Sequence, residues 1–487
     1  MLFEGKLLIN GQLCDAASGQ RFLSIDPANQ KTVGQCANAG PADMARAIAA
    51  ARQCFDKSEW SRDHLFRAKC LRQLKLALDE NKNAYLDLVV AEVGSTRGLA
   101  MGPQCWGAID MIEWTIDYLE QFHWQRDIGE REAMGSLSRR VVCKEAIGVV
   151  AAITPWNFPV QITLAKLIPA LAAGCTVVLK PAPDTPLVAS FLGKLIAENT
   201  DIPAGAVNIV TSNDPAELGE MLSTDPRVDM ISFTGSTGVG RRIMENSAAT
   251  IKKVFLELGG KSANIILDDA DLSTALLSAL AVCFHAGQGC AIPTRLLVPE
   301  TRKLEVEQLL IQYFSMIQYG DANSTEQIMG PLISLKQQQR VLEYIEIGKR
   351  EGARVLFGGG IPDGLSNGFY IEPTVFTDVT NDMRIAREEI FGPVLCLLTF
   401  TDDADAIRIA NDSPYGLSAA VSSADSERAI NVASRLRTGT VNINGGVFLG
   451  PDAPFGGHKQ SGIGREMGAE GFEEYLETKT LAIGVSQ

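Results

Sequence analysis

Two residue types, far apart in the chain, can pair as chemistry. Cys290 stands in Gly287-Gln288-Gly289-Cys290, and Glu257 is set in the apolar run Phe255-Leu256-Glu257-Leu258, ahead of Gly259-Gly260-Lys261. The nucleophilic form of cysteine is the thiolate, and a free thiol with a pKa of roughly 8.5 is barely ionised near neutrality. A site must therefore favour the anion or supply a base. A carboxylate among leucines is costly to ionise, and desolvation raises its pKa toward the range useful to a general base. Glycine beside the thiol lets backbone and substrate come close. Together the two point to covalent thiol catalysis. The plainer readings are a buried inert thiol and a carboxylate paired with Lys252, Lys253 or Lys261.

A third segment, Gly235-Ser236-Thr237-Gly238-Val239-Gly240, follows the apolar run Met230–Phe233 and leads into a stretch with Arg241 and Arg242. Glycines at a strand-to-helix turn let backbone N–H groups approach a pyrophosphate at a helix N-terminus. The spacing departs from GxGxxG and alone is a weak signal. Asn157, between Trp156 and Phe158-Pro159, reads by itself as a turn or cap residue.

The elements that must hold these groups follow from texture. The chain has 487 residues, 46% hydrophobic and 21% charged, enough for two or three globular domains. A net charge of -14 argues against nonspecific binding to nucleic acid or an anionic membrane. No apolar run reaches the roughly 18 residues that span a bilayer, and the N-terminus lacks a secretory layout, so a cytoplasmic protein is expected. The ten cysteines are scattered without CxxC spacing, and the four histidines are far apart. Neither a disulfide framework nor a metal site is expected, and Cys175 and Cys396, in apolar runs, read as buried small hydrophobes.

From about residue 40 to 125 the pattern is helical, with Leu65, Leu71, Leu74, Leu76 and Leu78 near helical spacing. After residue 145 short apolar runs alternate with amphipathic segments. Strands are expected at 148–153, 176–179, 207–210 and 230–233, with helices at 162–171 and 187–198 between them, and further strands at 294–298 and 394–398. That alternation predicts βαβ units and doubly wound, mostly parallel sheets. Two segments fit neither block, 136–142 and 481–485. Both alternate like edge strands, which call for a cover such as a second subunit.

Six motifs in order carry a resemblance: Thr154-Pro155-Trp156-Asn157-Phe158-Pro159, Phe233-Thr234-Gly235-Ser236, Leu256–Lys261, Gly287–Cys290, Glu388-Glu389-Ile390-Phe391-Gly392-Pro393 and Pro454-Phe455-Gly456-Gly457. Over nearly its whole length the chain resembles the aldehyde dehydrogenase superfamily. The resemblance implies two doubly wound Rossmann-like α/β domains plus a small β oligomerisation arm. A nucleotide-binding domain would take 1–127 and 146–258, a catalytic domain 259–459, and the arm 128–145 and 473–487. It implies an NAD(P)-dependent enzyme, a homodimer or homotetramer, that oxidises an aldehyde to its acid. Cys290 would be the nucleophile, Asn157 the oxyanion donor with the Cys290 N–H, and Glu257 the base that activates water against a thioester. Cofactor contacts would come from Thr154, Pro155, Trp156, Lys180, Gly235, Ser236, Gly240, Gly259, Glu389 and Phe391.

Two departures from the family pattern bear on specificity. Many members carry a glutamate three residues after the lysine at Lys180, where this chain has Pro183 followed by Asp184. NAD is the expected cofactor, and a barrier to NADP is removed. Ala165 stands where several members place a tryptophan, so a wider apolar tunnel lined by Phe158, Ile162, Ala165, Leu449 and Phe455 is expected, for a medium or large hydrophobic aldehyde. The alternatives are a semialdehyde or coenzyme A-acylating dehydrogenase, a noncatalytic relative, and a thiol hydrolase using His285. A distal carboxylate would call for an arginine, and Arg295 is the nearest in sequence.

Overall fold

The computed structural model describes residues 3–214 and 216–485. Its first large sheet has eight strands. Five of them run parallel in the order Lys253–Glu257, Met230–Thr234, Val149–Ile153, Thr176–Lys180, Val207–Ile209. Each is a short apolar run because both faces are covered. Val150 and Ala152 point into one core with the helices His64–Glu80 and Pro159–Ala173. Val149 and Ala151 point into the other, against the helices Pro41–Lys57 and Glu217–Thr224. Antiparallel strands Leu7–Ile9 and Gln12–Cys14 extend one edge, and the late strand Gly462–Ile463 returns to pair with Lys253–Glu257 at the other.

The second sheet has seven strands, ordered Arg354–Phe357, Thr374–Thr377, Val394–Phe400, Pro293–Pro299, Ser262–Ile266, Ser418–Ser422, Thr440–Ile443. All neighbours are parallel except the first pair. The doubly wound α/β class expected from the sequence is the observed one, and the strands and helices read from periodicity are present with small shifts at their ends. In the helix His64–Glu80, Leu71, Leu74 and Leu78 are buried, whereas Leu65 and Leu76 lie on the outer face.

One expectation is corrected. Segment 136–142 is the middle of a three-stranded antiparallel sheet and not an edge. The strand Ser136–Ala146 pairs on one side with Gln125–Ala133 and on the other with Leu476–Gly484. Only Val141 of this segment is buried, and alternation in sequence is shared by edge and central antiparallel strands, so it does not tell one from the other. The sheet begins at Gln125 and its hairpin ends at Ala146, slightly outside the expected 128–145. Ser486 and Gln487, at the end of the expected arm, lie outside the described residues.

The helix Pro159–Ala173 carries much of the site, and a buried guanidinium holds its far end. Arg67 Nε donates to the Ala172 carbonyl and Nη1 to that of Trp60, while Trp60 Nε1 donates to the Cys175 carbonyl. The last carbonyls of a helix lack partners within it, and a cation there also suits the helix dipole. Burial pushes the Arg67 guanidinium down to about 10. Arg67→Ala would strand two buried carbonyls, and we expect a loss of about 3 kcal/mol of stability, read from the midpoint of urea unfolding.

Candidate active site

The chain passes from the first sheet to the second through Leu258–Lys261, between the strands Lys253–Glu257 and Ser262–Ile266. Carboxyl ends of strands in the first sheet therefore face amino ends of strands in the second. Ile153, Lys180, Thr234 and Glu257 end strands of the first. Cys290 and Glu389 lie just before the strands Pro293–Pro299 and Val394–Phe400 of the second.

At this junction lies a cavity of about 330 Å³. Cys290, Glu257 and Asn157 all line it, as do Phe158, Ile162, Ala165, Leu449 and Phe455. Every residue expected at the catalytic centre or substrate pocket is thus brought to one space. Residues the sequence reading missed also line it, notably Phe284, Phe448 and Glu466. Phe448 stacks on Phe455 at 5.5 Å. No local spacing could have placed Phe284 or Glu466 here, because each arrives from a different loop.

Cys290 follows an unusual turn. His285, Ala286 and Gly287 all have positive φ, and a Cβ on Gly287 would lie 2.1 Å from the Gly392 carbonyl oxygen. The buried Gln288 side chain ties this turn down, donating to the His285 and Pro331 carbonyls and accepting from the Ile333 N–H. Burial pushes the Cys290 thiol well above its ordinary value, and Glu257, Glu389 and Glu466 push it further. The resting group is the thiol.

Glu257 is 1% exposed, and neither of its carboxylate oxygens has a hydrogen-bond partner. Two of the three lysines that might have paired with it are turned elsewhere: Lys252 donates to the Asp225 carbonyl and Lys253 to that of Glu474. Burial raises the Glu257 carboxyl strongly, Glu466 adds to this, and Lys166 and Arg465 oppose it. Glu466 itself forms a buried ion pair with Lys166 at 2.7 Å.

Asn157 does not cap the following helix. Its Nδ2 donates to the Gln288 carbonyl at 2.9 Å, and its own carbonyl accepts from Gln104 Nε2 at 2.6 Å. A primary amide has two N–H donors, so the second is available to the cavity that Asn157 lines. His285 is buried, its imidazole is pushed down to about 4 by that burial, and its ring packs on Phe158. It makes no dyad with Cys290. Arg295 is buried and spends its guanidinium on the Lys261, Ile409 and Ala410 carbonyls and on Asn381. It does not line the cavity.

The expected cofactor residues collect at the neighbouring switch point. The strand Val149–Ile153 lies between Thr176–Lys180 and Met230–Thr234, and chain order reverses there, which is where open α/β sheets bind nucleotides. Thr154, Pro155 and Trp156 leave one of these strands, and Gly235 and Ser236 leave another. Ser236 caps the helix Thr237–Ser247 by accepting from the Val239 N–H. Lys180 is buried, which pushes its amine down to about 8. The Trp156 ring meets Phe391 edge-on at 5.4 Å. Glu389 accepts from the Gly260 N–H, and burial pushes its carboxyl up to about 7. Gly240 is buried, and a Cβ there would lie 2.7 Å from the Leu258 side chain.

Comparison with known proteins gives the same picture. The sequence model described as "Aldehyde dehydrogenase family" matches residues 14–481. The chain is 42% identical to a 3-succinoylsemialdehyde-pyridine dehydrogenase of a Pseudomonas species, over 97% of each chain. It is 39% identical to a betaine aldehyde dehydrogenase of Bacillus subtilis, over 97% of this chain and 96% of the other. Among solved structures, a Staphylococcus aureus betaine aldehyde dehydrogenase in complex with NAD+ superposes with a TM-score of 0.94 at 37% identity, covering 98% and 94% of the two chains. A mutant of aldehyde dehydrogenase C from Pseudomonas syringae, complexed with NAD+ and octanal, superposes with a TM-score of 0.93 at 40% identity, covering 98% and 96%.

The carboxylates around Cys290 set its titration. Removing one negative charge lowers the thiol pKa, so Glu257→Gln should speed alkylation of Cys290 by iodoacetamide at a given pH and move the rate profile toward acid. Mass spectrometry of the Cys290 peptide over a pH series reads the shift.

Proposed function

Because the chain belongs to the aldehyde dehydrogenase family, we propose that it oxidises a medium or large hydrophobic aldehyde to the carboxylic acid through a covalent intermediate on Cys290. The observation that carries this reading is one largely apolar cavity holding a thiol, an unpartnered buried carboxylate and a carboxamide donor. The proposed cofactor is NAD, with NADP admitted because Pro183 offers no carboxylate against a 2′-phosphate.

The residues at the switch point fit a dinucleotide. A helix N-terminus at Thr237 and the buried Lys180 amine suit diphosphate and ribose, and a Cβ on Gly238 would meet nothing within 4 Å, so the first helical turn is open. Glu389 is the carboxylate for ribose hydroxyls, and Trp156 and Phe391 supply flat apolar surface. When bound, the nicotinamide supplies a hydride acceptor.

The chain's own groups then act in order. Glu257 accepts the thiol proton as Cys290 sulfur bonds to the carbonyl carbon, giving a thiohemiacetal. The free Asn157 N–H and the Cys290 N–H hold the oxygen as its charge develops. Loss of hydride leaves a thioester. Glu257 releases the thiol proton to solvent, then takes a proton from water as that water attacks the thioester; the C–S bond breaks, the acid departs, and Glu257 returns its proton to the thiolate. Acyl transfer to coenzyme A needs no such base, so Glu257 favours hydrolysis.

Substrate polarity follows from the lining. Its only ionisable side chains besides Cys290 are Glu257 and Glu466, and Glu466 is already paired with Lys166. A semialdehyde's distal carboxylate would meet no cation there. The octanal complex of the Pseudomonas syringae relative supports an apolar chain.

Purified protein should reduce NAD without coenzyme A, with kcat/KM rising from acetaldehyde to longer alkyl or aryl aldehydes. Cys290→Ala should abolish turnover, and Asn157→Ala should lower kcat about a hundred- to a thousandfold. A preference for acetaldehyde or betaine aldehyde would overturn the substrate assignment, and a strict need for coenzyme A would overturn hydrolysis.

We also propose a homodimer or homotetramer assembled through the three-stranded arm. The strand Leu476–Gly484 is an outer strand with Leu481 and Ile483 exposed, and such an edge pairs readily with another chain. Sedimentation velocity should show an oligomer, and Leu481→Lys with Ile483→Lys should shift it toward monomer.

A further inference from the structure

Beside the catalytic cavity lies a second, smaller one of about 40 Å³. The helix Pro159–Ala173 forms the wall between them, and helical geometry sorts its side chains, since residues three and four apart share a face. Ile162 faces only the catalytic cavity, and Leu164 and Ile168 only the second. Gln161 and Ala165 line both, and so does Met467 from the opposite side. Across the second cavity stand Trp114 and Thr115 of the helix Ile112–Gln121. Gln161, Thr115 and the indole N–H of Trp114 are the polar groups among its described lining residues. The rest of the lining is hydrocarbon or aromatic and suits an alkyl group.

The seam between the cavities is built from small or yielding parts. Ala165 presents a single methyl. Met467 has an unbranched side chain that adapts to what it meets. Its backbone is held at φ 60°, ψ 173° at the start of the helix Gly468–Glu473, where a Cβ on Gly471 would lie 2.6 Å from the Glu466 carbonyl carbon. Such a conformation persists only when packing enforces it. The Met467 Cα is thus fixed while its side chain can turn.

We propose that the second cavity is a subsite for the distal end of an unbranched alkyl aldehyde, entered across the seam between Ala165 and Met467. The inference rests on the reading of the Cys290 cavity as an aldehyde site. Each further methylene buried there adds about fourfold to kcat/KM, so the gain with chain length continues after the first cavity is filled.

Thr115→Trp fills the second cavity from its far wall, away from Cys290. Propanal should retain its kcat/KM in this variant, while decanal should fall at least about tenfold, the value of two lost methylenes. Decanal unchanged beside an unchanged propanal overturns the subsite and leaves aldehyde oxidation standing. A second measurement needs no turnover. In Cys290→Ala protein, ω-bromodecanal should quench tryptophan emission and ω-bromobutanal should not, and Trp114→Phe should remove the difference. Equal quenching with and without Trp114 overturns the subsite even if aldehydes are oxidised. Quenching that depends on Trp114, in a protein whose unsubstituted form oxidises no aldehyde, upholds the subsite and overturns the reaction reading.

Discussion

The site depends on two side chains that are absent. Gly259 and Gly260 carry the chain from the first sheet to the second, and the groups of the site close in on them. A Cβ on Gly260 would lie 2.4 Å from the Cys290 carbonyl oxygen, and one on Gly259 2.4 Å from the Glu389 carboxylate. The Gly260 N–H, left clear, donates to Glu389 Oε1 at 2.9 Å. The Cys290 loop, the Glu389 carboxylate and the strand bearing Glu257 meet only because the backbone there has nothing to push them apart. The two doubly wound sheets thus act as rigid jaws, with the chemistry at the carboxyl ends of one and the amino ends of the other.

Close approach has an electrostatic consequence. Glu257, Glu389 and Glu466 all raise the Cys290 thiol, and Glu257 has no hydrogen-bonding partner of its own. An isolated buried carboxylate is unfavourable, and proteins keep one where its protonation is useful. Lys166 pairs with Glu466 and leaves Glu257 as the base without a partner. The result is a neutral thiol beside a carboxyl whose proton affinity is raised, and in the proposed reaction the ionised carboxylate takes the thiol proton. His285 remains outside this exchange because burial holds it neutral.

Much of the cavity wall comes from a different surface, the helix Pro159–Ala173. Its first residues follow Asn157, its middle faces the cavity through Ile162 and Ala165, and Lys166 reaches back to Glu466. One helix therefore ties the Asn157 amide, the cavity wall and the surroundings of Glu257 to a common axis, anchored at its far end by Arg67. A change of side-chain size at Ala165 alters the space available without disturbing the groups on either side.

Much of this was legible in the sequence. Short apolar runs alternating with helical periodicity point to parallel sheets covered on both faces, an arrangement that buries Val149 and Val150 at once. The thiol beside glycine, the carboxylate among leucines and the motif order named the reacting groups. Tertiary structure alone decided the rest. Phe284, Phe448 and Glu466 enter the cavity from loops with no common spacing, and a one-dimensional pattern cannot register contacts between them. Segment 136–142 has the alternation of an edge strand but lies in the middle of its sheet, since pairing partners come from elsewhere in the chain. Gly240 reads as a phosphate-loop glycine in the sequence, and only the fold shows that Leu258 packs against it. Residue types and order determined which chemistry the chain holds. How deeply the groups are buried, what opposes their charges and what shape of substrate reaches them depend on distances that exist only once the two sheets have closed on Gly259 and Gly260.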